Sequence, residues 1–398
     1  MKRAALTIAA IASLGASIAF AAEPPPETDA KTVLGANAKG DTWTVAPTVR
    51  SDGFVRLFAV ETPYGDFQVN GQRRMDERIQ ELRALQVLEK MSNATVFVEA
   101  IGEAGLAPIR FGRDLVLDPV ETTGNLVSGI GNMFDKVVTE VERSGSSRDS
   151  FVESVVGVKK AMRELAFELK VDPYSDFTPL RDGLEDVARV MAAGDISVSA
   201  AISVIPGGAG IAVSATSRAS NLANPIRDKS SAEIAAIVAG KLAALGVGDA
   251  AVERFIENTA YSPGDQFAIA EALGALKADN SAGYILRAAE ADSADVAKFN
   301  RYRAELLAKQ SAKLGTLKEF YVVSEFALNR DAAGGLVAAF PFDGLAWTET
   351  VARSMTDLSK EIATRGETKA PVFATTGKIS PMAEAELKKR GWKIMTLE

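Results

Sequence analysis

Between residues 230 and 314 the chain repeats one arrangement: a capping residue, an apolar set at helical spacing, then a stop. Ser230 stands three residues before Glu233, the spacing at which hydroxyl and carboxylate satisfy each other's backbone donors. Ile234, Ile237, Val238, Leu242 and Leu245 follow before Gly246. Segments 251–258, 263–276, 281–289 and 293–314 continue in kind, several opening after Ser or Asp. Such a stretch folds as packed helices, and without a fixed period they form a body rather than a solenoid.

Upstream, 54–60 and 66–70 are rich in β-formers and flank Pro63-Tyr64-Gly65-Asp66, a hairpin signal in which Pro presets one turn torsion and Gly tolerates the other. Met75, Ile79, Leu82, Leu85 and Leu88 then predict a helix. Leu126, Ile130, Met133, Phe134, Val137, Val138 and Val141 form a clear amphipathic stripe. Its polar face is not enriched in Lys or Arg, which favours a helix packed on the core over one lying in a lipid interface. Phe151, Val155, Val158, Met162, Leu165 and Leu169 mark the next helix, which Pro173 ends.

The stretch 171–189, with Asp172-Pro173-Tyr174-Ser175 and then Leu180, Leu184 and Ala188, resembles a pattern found in an uncharacterised family of exported bacterial proteins. The resemblance covers a small part of the chain and implies no activity.

After Gly315 the composition shifts. Short β-like runs at 320–326, 336–340, 372–375 and 392–397 alternate with helical segments at 347–364 and 381–390. The expected fold is mainly α: a multi-helix body with a short N-terminal β-hairpin and a small C-terminal α/β unit. The first residues carry an address. Lys2 and Arg3 precede an apolar stretch of about 16 residues, short of the roughly 20 that span a bilayer core, and Ala19-Phe20-Ala21 is an A-x-A cleavage site. The expected organisation is a signal peptide at 1–21, cleaved after Ala21; a flexible leader at 22–50, opened by Pro24-Pro25-Pro26; hairpin and helical body at 51–315; and the α/β unit at 316–398. The expected compartment is the periplasm.

The chain has no Cys and no His, which removes thiolate nucleophiles, cysteine zinc sites, imidazole bases and the serine–histidine triad. No metal site and no cofactor are expected. Removing 1–21 takes away two basic residues and no acidic one, moving the net charge from −7 to about −9. Nucleic acid is therefore excluded as an expected partner, leaving an envelope protein or lipid. With 47% hydrophobic residues the chain can bury a sizeable core.

Two stretches attract functional attention. The first, 196–216, is apolar and small throughout and split by Pro206-Gly207-Gly208. Each arm is about ten residues, or roughly 15 Å of helix, half a bilayer core, so a buried hairpin is preferred and membrane contact stays open. The second is Thr375-Thr376-Gly377-Lys378-Ile379-Ser380-Pro381, where an apolar strand leads into a loop and Ser380 can cap a helix starting at Pro381. Thr375, Thr376, Lys378 and Ser380 are candidate anion ligands, although the P-loop spacing is missing. The leading expectation is a non-catalytic envelope binding or scaffolding module. The alternatives are a lipid-interacting protein using 196–216, and a hydrolase or transferase using carboxylates or the 375–380 loop.

Overall fold

The computed structural model describes residues 22–107, 109, 155–203 and 224–397. The 1–21 address, the 126–141 stripe and the 204–216 part of the apolar run lie outside the described residues. The protein is 53% helical and 17% strand, hence mainly α with several sheets.

The first elements are β1 (Glu27–Asp29), α1 (Ala30–Leu34), β2 (Thr44–Val45), β3 (Thr48–Ser51), β4 (Arg56–Glu61) and β5 (Phe67–Asn70). β4 and β5 form the expected antiparallel hairpin, with Val60 opposite Phe67 and Leu57 opposite Asn70. Gly65 closes its turn at φ 109°, a torsion that a Cβ disfavours, and its N–H donates to the Thr62 carbonyl at 3.2 Å. On the other edge of β4, β2 and β3 act as one interrupted strand. Val45 faces Val60, Arg50 faces Leu57, and Ala46 N–H bonds Ala59 between them, while Pro47 can donate nothing. β1 pairs antiparallel outside β3.

Residues 22–50, expected as a mobile leader, therefore carry β1, α1, β2 and β3. Ala30, Leu34, Trp43, Val45 and Val49 are buried in the core of this sheet. The apolar residues are spaced too irregularly to show a period, and the proline run supplies extended backbone that pairs: Ser51 N–H donates to the Pro26 carbonyl at 2.9 Å.

Helices α2 (Gln72–Ser92), α3 (Thr95–Glu103), α4 (Val155–Glu168), α5 (Thr178–Ala193) and α6 (Val198–Ser203) follow. Met75, Ile79, Leu82, Leu85 and Leu88 are all buried, as their spacing predicts, and pack with Leu165, Leu180 and Leu184. In the described part of the apolar run, α6 buries Ala201 in this core. Among the described residues no helix is long and apolar enough to cross a membrane.

The helical series is α7 (Ser231–Ala244), α8 (Asp249–Glu257), α9 (Pro263–Leu276), α10 (Ser281–Ala288) and α11 (Ala294–Gln310). Ser230 and Ser262 both close capping boxes, with Glu233 and Asp265 respectively.

The chain ends with β6 (Leu317–Val323), β7 (Phe326–Asp331), β8 (Leu336–Phe340), β9 (Gly344–Leu345), α12 (Glu349–Thr364), β10 (Val372–Thr375), β11 (Lys378–Ile379), α13 (Pro381–Lys389) and β12 (Lys393–Thr396). The run 320–326, expected as one strand, is broken by a two-residue turn in which Ser324 adopts φ 49°. The main sheet has the order β12-β10-β8-β7-β6; its first three strands are parallel and the last two antiparallel to their neighbours. The pleat of β8 splits the core cleanly. Leu336, Ala338 and Phe340 face Trp347, Met355 and Leu387, whereas Val337 and Ala339 join Ile269, Leu273 and Leu307 of the helical series. Apolar packing therefore runs straight across residue 315, where the composition changes.

Phe54, in the turn between β3 and β4, is wholly buried and lies 4.8 Å from Phe342 between ring centroids. Asp343 N–H donates to the Phe54 carbonyl at 3.0 Å. This contact fixes the N-terminal sheet beside the carboxyl ends of β8 and β10, where a cleft opens.

Candidate functional site

The 375–380 loop is drawn tightly into the fold. Thr375 is fully buried at the end of β10, and its hydroxyl accepts from Gly377 N–H. Thr376 donates its hydroxyl to the Phe342 carbonyl at 2.9 Å. Ser380 caps α13, accepting from Ala383 N–H at 3.1 Å, and donates to the Glu23 carboxylate. Lys378 is exposed on β11, in parallel register with Gly344 of β9. Among the four candidate ligands, the two threonines are engaged by the fold, Ser380 combines a cap with a cleft position, and the Lys378 ammonium lines the cleft without a side-chain partner among the described residues.

The cleft is about 250 Å³ in volume. One wall comes from β1 and β3, the other from the backbone of β9 and β11, and Arg56, Asp343, Lys378 and Ser380 line it. Gly377 makes the second wall sterically feasible, because a Cβ there would overlap the backbone of Asp343 and Gly344. Only hydrogen lets the two chains approach this closely.

Asp343 is the organising group. Its Oδ2 accepts from Arg56 N–H at 2.8 Å and from Gln72 N–H, at the start of α2, at 2.9 Å. The carboxylate thus satisfies one of the orphan donors of the helix. Oδ1 accepts no hydrogen bond among the described residues. Burial pushes the Asp343 carboxyl up to about 6; the two backbone donors and the Arg56 guanidinium pull against that shift, and Asp52 adds to it. Asp52 is itself held by Phe54 N–H at 2.7 Å and Val55 N–H at 2.8 Å.

A second polar constellation lies between α2, the 172–176 loop, α9 and α11. Asp265 accepts from Lys298 and Arg301, each at 2.9 Å, and Arg301 also reaches Glu77 at 2.8 Å. The Tyr302 hydroxyl donates to Glu77 at 2.7 Å. Arg74 grips both oxygens of Asp176, Arg78 joins it at 3.2 Å, and Ser175 donates to Glu81. Burial opposes ionisation of Glu77, yet Arg301 and Lys298 outweigh it and hold the carboxyl near 2. Asp265 and Asp176 are held well below the usual carboxylate range against the same burial, by Lys298 with Arg301 and by Arg74 with Arg78 respectively. This lattice orients helices: its charges are mutually paired, and among the described residues no group of three or more acids is arranged for a metal ion.

A smaller cavity of about 160 Å³ between α10, α11 and β7 is likewise structural. Arg303 donates to the Ala327 and Ala339 carbonyls, Tyr284 to the Asn300 carbonyl and Asn300 to Tyr261.

Asp343 and Arg56 were not singled out from sequence. The available signal was Phe342-Asp343-Gly344 directly after a fully apolar strand, because loops at the carboxyl ends of parallel strands are where α/β sheets hold ligands. Arg56 had no local signal; it meets the site only through the docking of Phe54. No protein-family model, curated protein or solved structure matches the chain.

Proposed function

We propose that the chain is a non-catalytic binding module of the cell envelope whose ligand seat is the cleft beyond β8 and β10. The observation that carries this reading is the convergence of Arg56, Lys378 and Asp343 on one open cleft at the carboxyl ends of parallel strands. Its volume of about 250 Å³ is near the lower end of the roughly 300–1,000 Å³ of small-molecule sites, which suits a compact ligand. The other polar clusters serve the fold. The envelope assignment rests on the charged start, apolar stretch and A-x-A motif of 1–21.

The test is a thermal-shift and calorimetric screen of the mature chain, residues 22–398, against small charged and neutral metabolites. A ligand that stabilises the wild type and fails to stabilise Arg56→Ala and Lys378→Ala supports the reading. A stabilising ligand indifferent to both substitutions moves the site elsewhere, and turnover of the ligand ends the non-catalytic description. Fractionation of producing cells, with N-terminal sequencing, tests the address: the expected product is periplasmic and begins at Ala22.

A further inference from the structure

The cleft sets two cations, Arg56 and Lys378, around one carboxyl, Asp343. Arg56 on β4 and Lys378 on β11 have no side-chain ion pair among the described residues. Two acids stand nearby but outside the lining: Asp52 accepts from Phe54 and Val55 N–H groups, and Glu23 accepts from Trp347 N–H and the Ser380 hydroxyl, each keeping its charge. Asp343 differs in lining the cleft itself; both of its donors reach Oδ2, which leaves Oδ1 available.

We propose that the cleft takes a small oxyanion, a sulfate-, phosphate- or carboxylate-type group, and that the anion binds preferentially to the form in which Asp343 is protonated. The inference deepens the binding-module reading and rests on it. Ionised Asp343 repels an arriving anion and offers only acceptors to it. Protonated on Oδ1, it loses that repulsion and gains a donor, while Oδ2 keeps both of its backbone bonds. Arg56 and Lys378 then face the anion without a competing charge from Asp343, while Asp52 and Glu23 keep their charges outside the lining. The carboxyl already titrates near neutrality, at about 6, because it is buried, so the proton is gained within an accessible range. Linkage makes the effect reciprocal: if the proton favours the anion, the anion favours the proton.

Sulfate is the suitable probe, since its charge is constant between pH 5 and 8. Calorimetric titration of the mature chain is expected to show saturable binding about tenfold tighter at pH 5 than at pH 8, equivalent to raising the Asp343 value by about one on binding. Heats measured near pH 6.5 in two buffers of different ionisation enthalpy should report uptake of about half a proton. Asp343→Asn, which keeps an oxygen for both backbone donors, should bind with no pH dependence. Lys378→Ala, at an exposed position, should weaken binding at both pH values without changing the urea midpoint. Phosphatidylglycerol vesicles give a second arm. Retention at pH 5 that is lost in Lys378→Ala assigns the oxyanion to a lipid headgroup, and sulfate binding without retention assigns it to a soluble ligand.

Sulfate binding equal at both pH values in the wild type overturns the proton coupling. Absence of sulfate binding, alongside a neutral ligand whose binding depends on Arg56, overturns the oxyanion and leaves the binding module standing. No binding by any ligand class removes both.

Discussion

The hydroxyl of Ser262 donates to the carboxylate of Asp172 at 2.6 Å, across 90 residues of sequence. Ser262 also caps α9 by accepting from Asp265 N–H at 3.1 Å, so one side chain ties the helix start to the loop after α4. Burial, with Asp265 adding, raises the Asp172 carboxyl, and the Ser262 hydroxyl is among the groups that offset this. Ser262→Ala removes cap and partner together and should cost about 1–2 kcal/mol, read from the urea midpoint. An unchanged midpoint would show that this junction carries no stability.

Asp265 is 1% exposed and shared by Lys298 and Arg301. Asp265→Ala leaves buried Lys298 with only Glu77, at 4.0 Å, and removes one of the three carboxylates that Arg301 reaches, and should destabilise by about 3–5 kcal/mol. The double substitution Asp265→Ala with Lys298→Met is expected to recover a measurable part of that loss, because it deletes the cation left with a distant partner. A double variant no better than the single one would place the cost in the cap instead.

Stability should peak near pH 4. Glu77 is depressed from 4.5 to about 2 in the folded state, so its contribution is complete above 4.5 and lost as pH falls toward 2, up to about 3 kcal/mol. Asp343 is raised from 3.8 to about 6, so its contribution is complete below 3.8 and lost as pH rises through 6, again up to about 3 kcal/mol. Urea midpoints from pH 3 to pH 8 check both limbs. Asp343→Asn should flatten the neutral limb and leave the acid limb intact; a midpoint rising steadily to pH 8 would contradict the assignment.

Gly377→Ala should be far more damaging than an exposed loop substitution normally is. The new methyl would meet the backbone of Asp343 and Gly344 rather than a side chain that can move. A loss of at least about 3 kcal/mol is expected, because backbone must shift to relieve the overlap. Gly366→Ala offers a comparison, since its φ is 72° but a Cβ there has open space. Gly377 carries no positive φ, so Gly366→Ala reads torsional strain alone, and a Gly377→Ala cost no larger than that would show the close approach to be relieved cheaply.

Ser380→Ala removes the α13 cap and the Glu23 contact, for an expected loss of about 1–2 kcal/mol. Hydrogen exchange should show the amide of Glu23, which bonds the Trp347 carbonyl at 2.9 Å, opening faster in this variant than in the wild type. Unaltered exchange there would mean that β1 pairing alone holds the segment.

Local signals were legible where the physics is local. The α7 capping box, the Gly65 turn and the buried face of α2 follow from spacing, because each is decided within a few residues. Ordering of 22–50 was hidden: Trp43, Val45 and Val49 become core only when β4 lies beside them. The candidate site was half visible. Lys378 and Ser380 line the cleft, whereas Arg56 and Asp343 are brought there by Phe54 and by the start of α2, contacts without a sequence period. The charge lattice was hidden for the same reason, since Glu77 and Arg301 on a single helix each read as solvated surface until α2 and α11 meet.

Glu23 meets Trp347 across 324 residues, and with it β1 forms part of the cleft wall. The wall is thus built from segments emerging at opposite ends of synthesis. Hairpins and single helices can organise as soon as they appear, but this seam must wait for nearly the whole polypeptide, and loop closure over such a span is slow. The cleft should therefore be the last part to assemble in refolding, so that appearance of ligand affinity lags recovery of helix. A polypeptide halted before residue 347 would hold most of the described helices and no closed cleft.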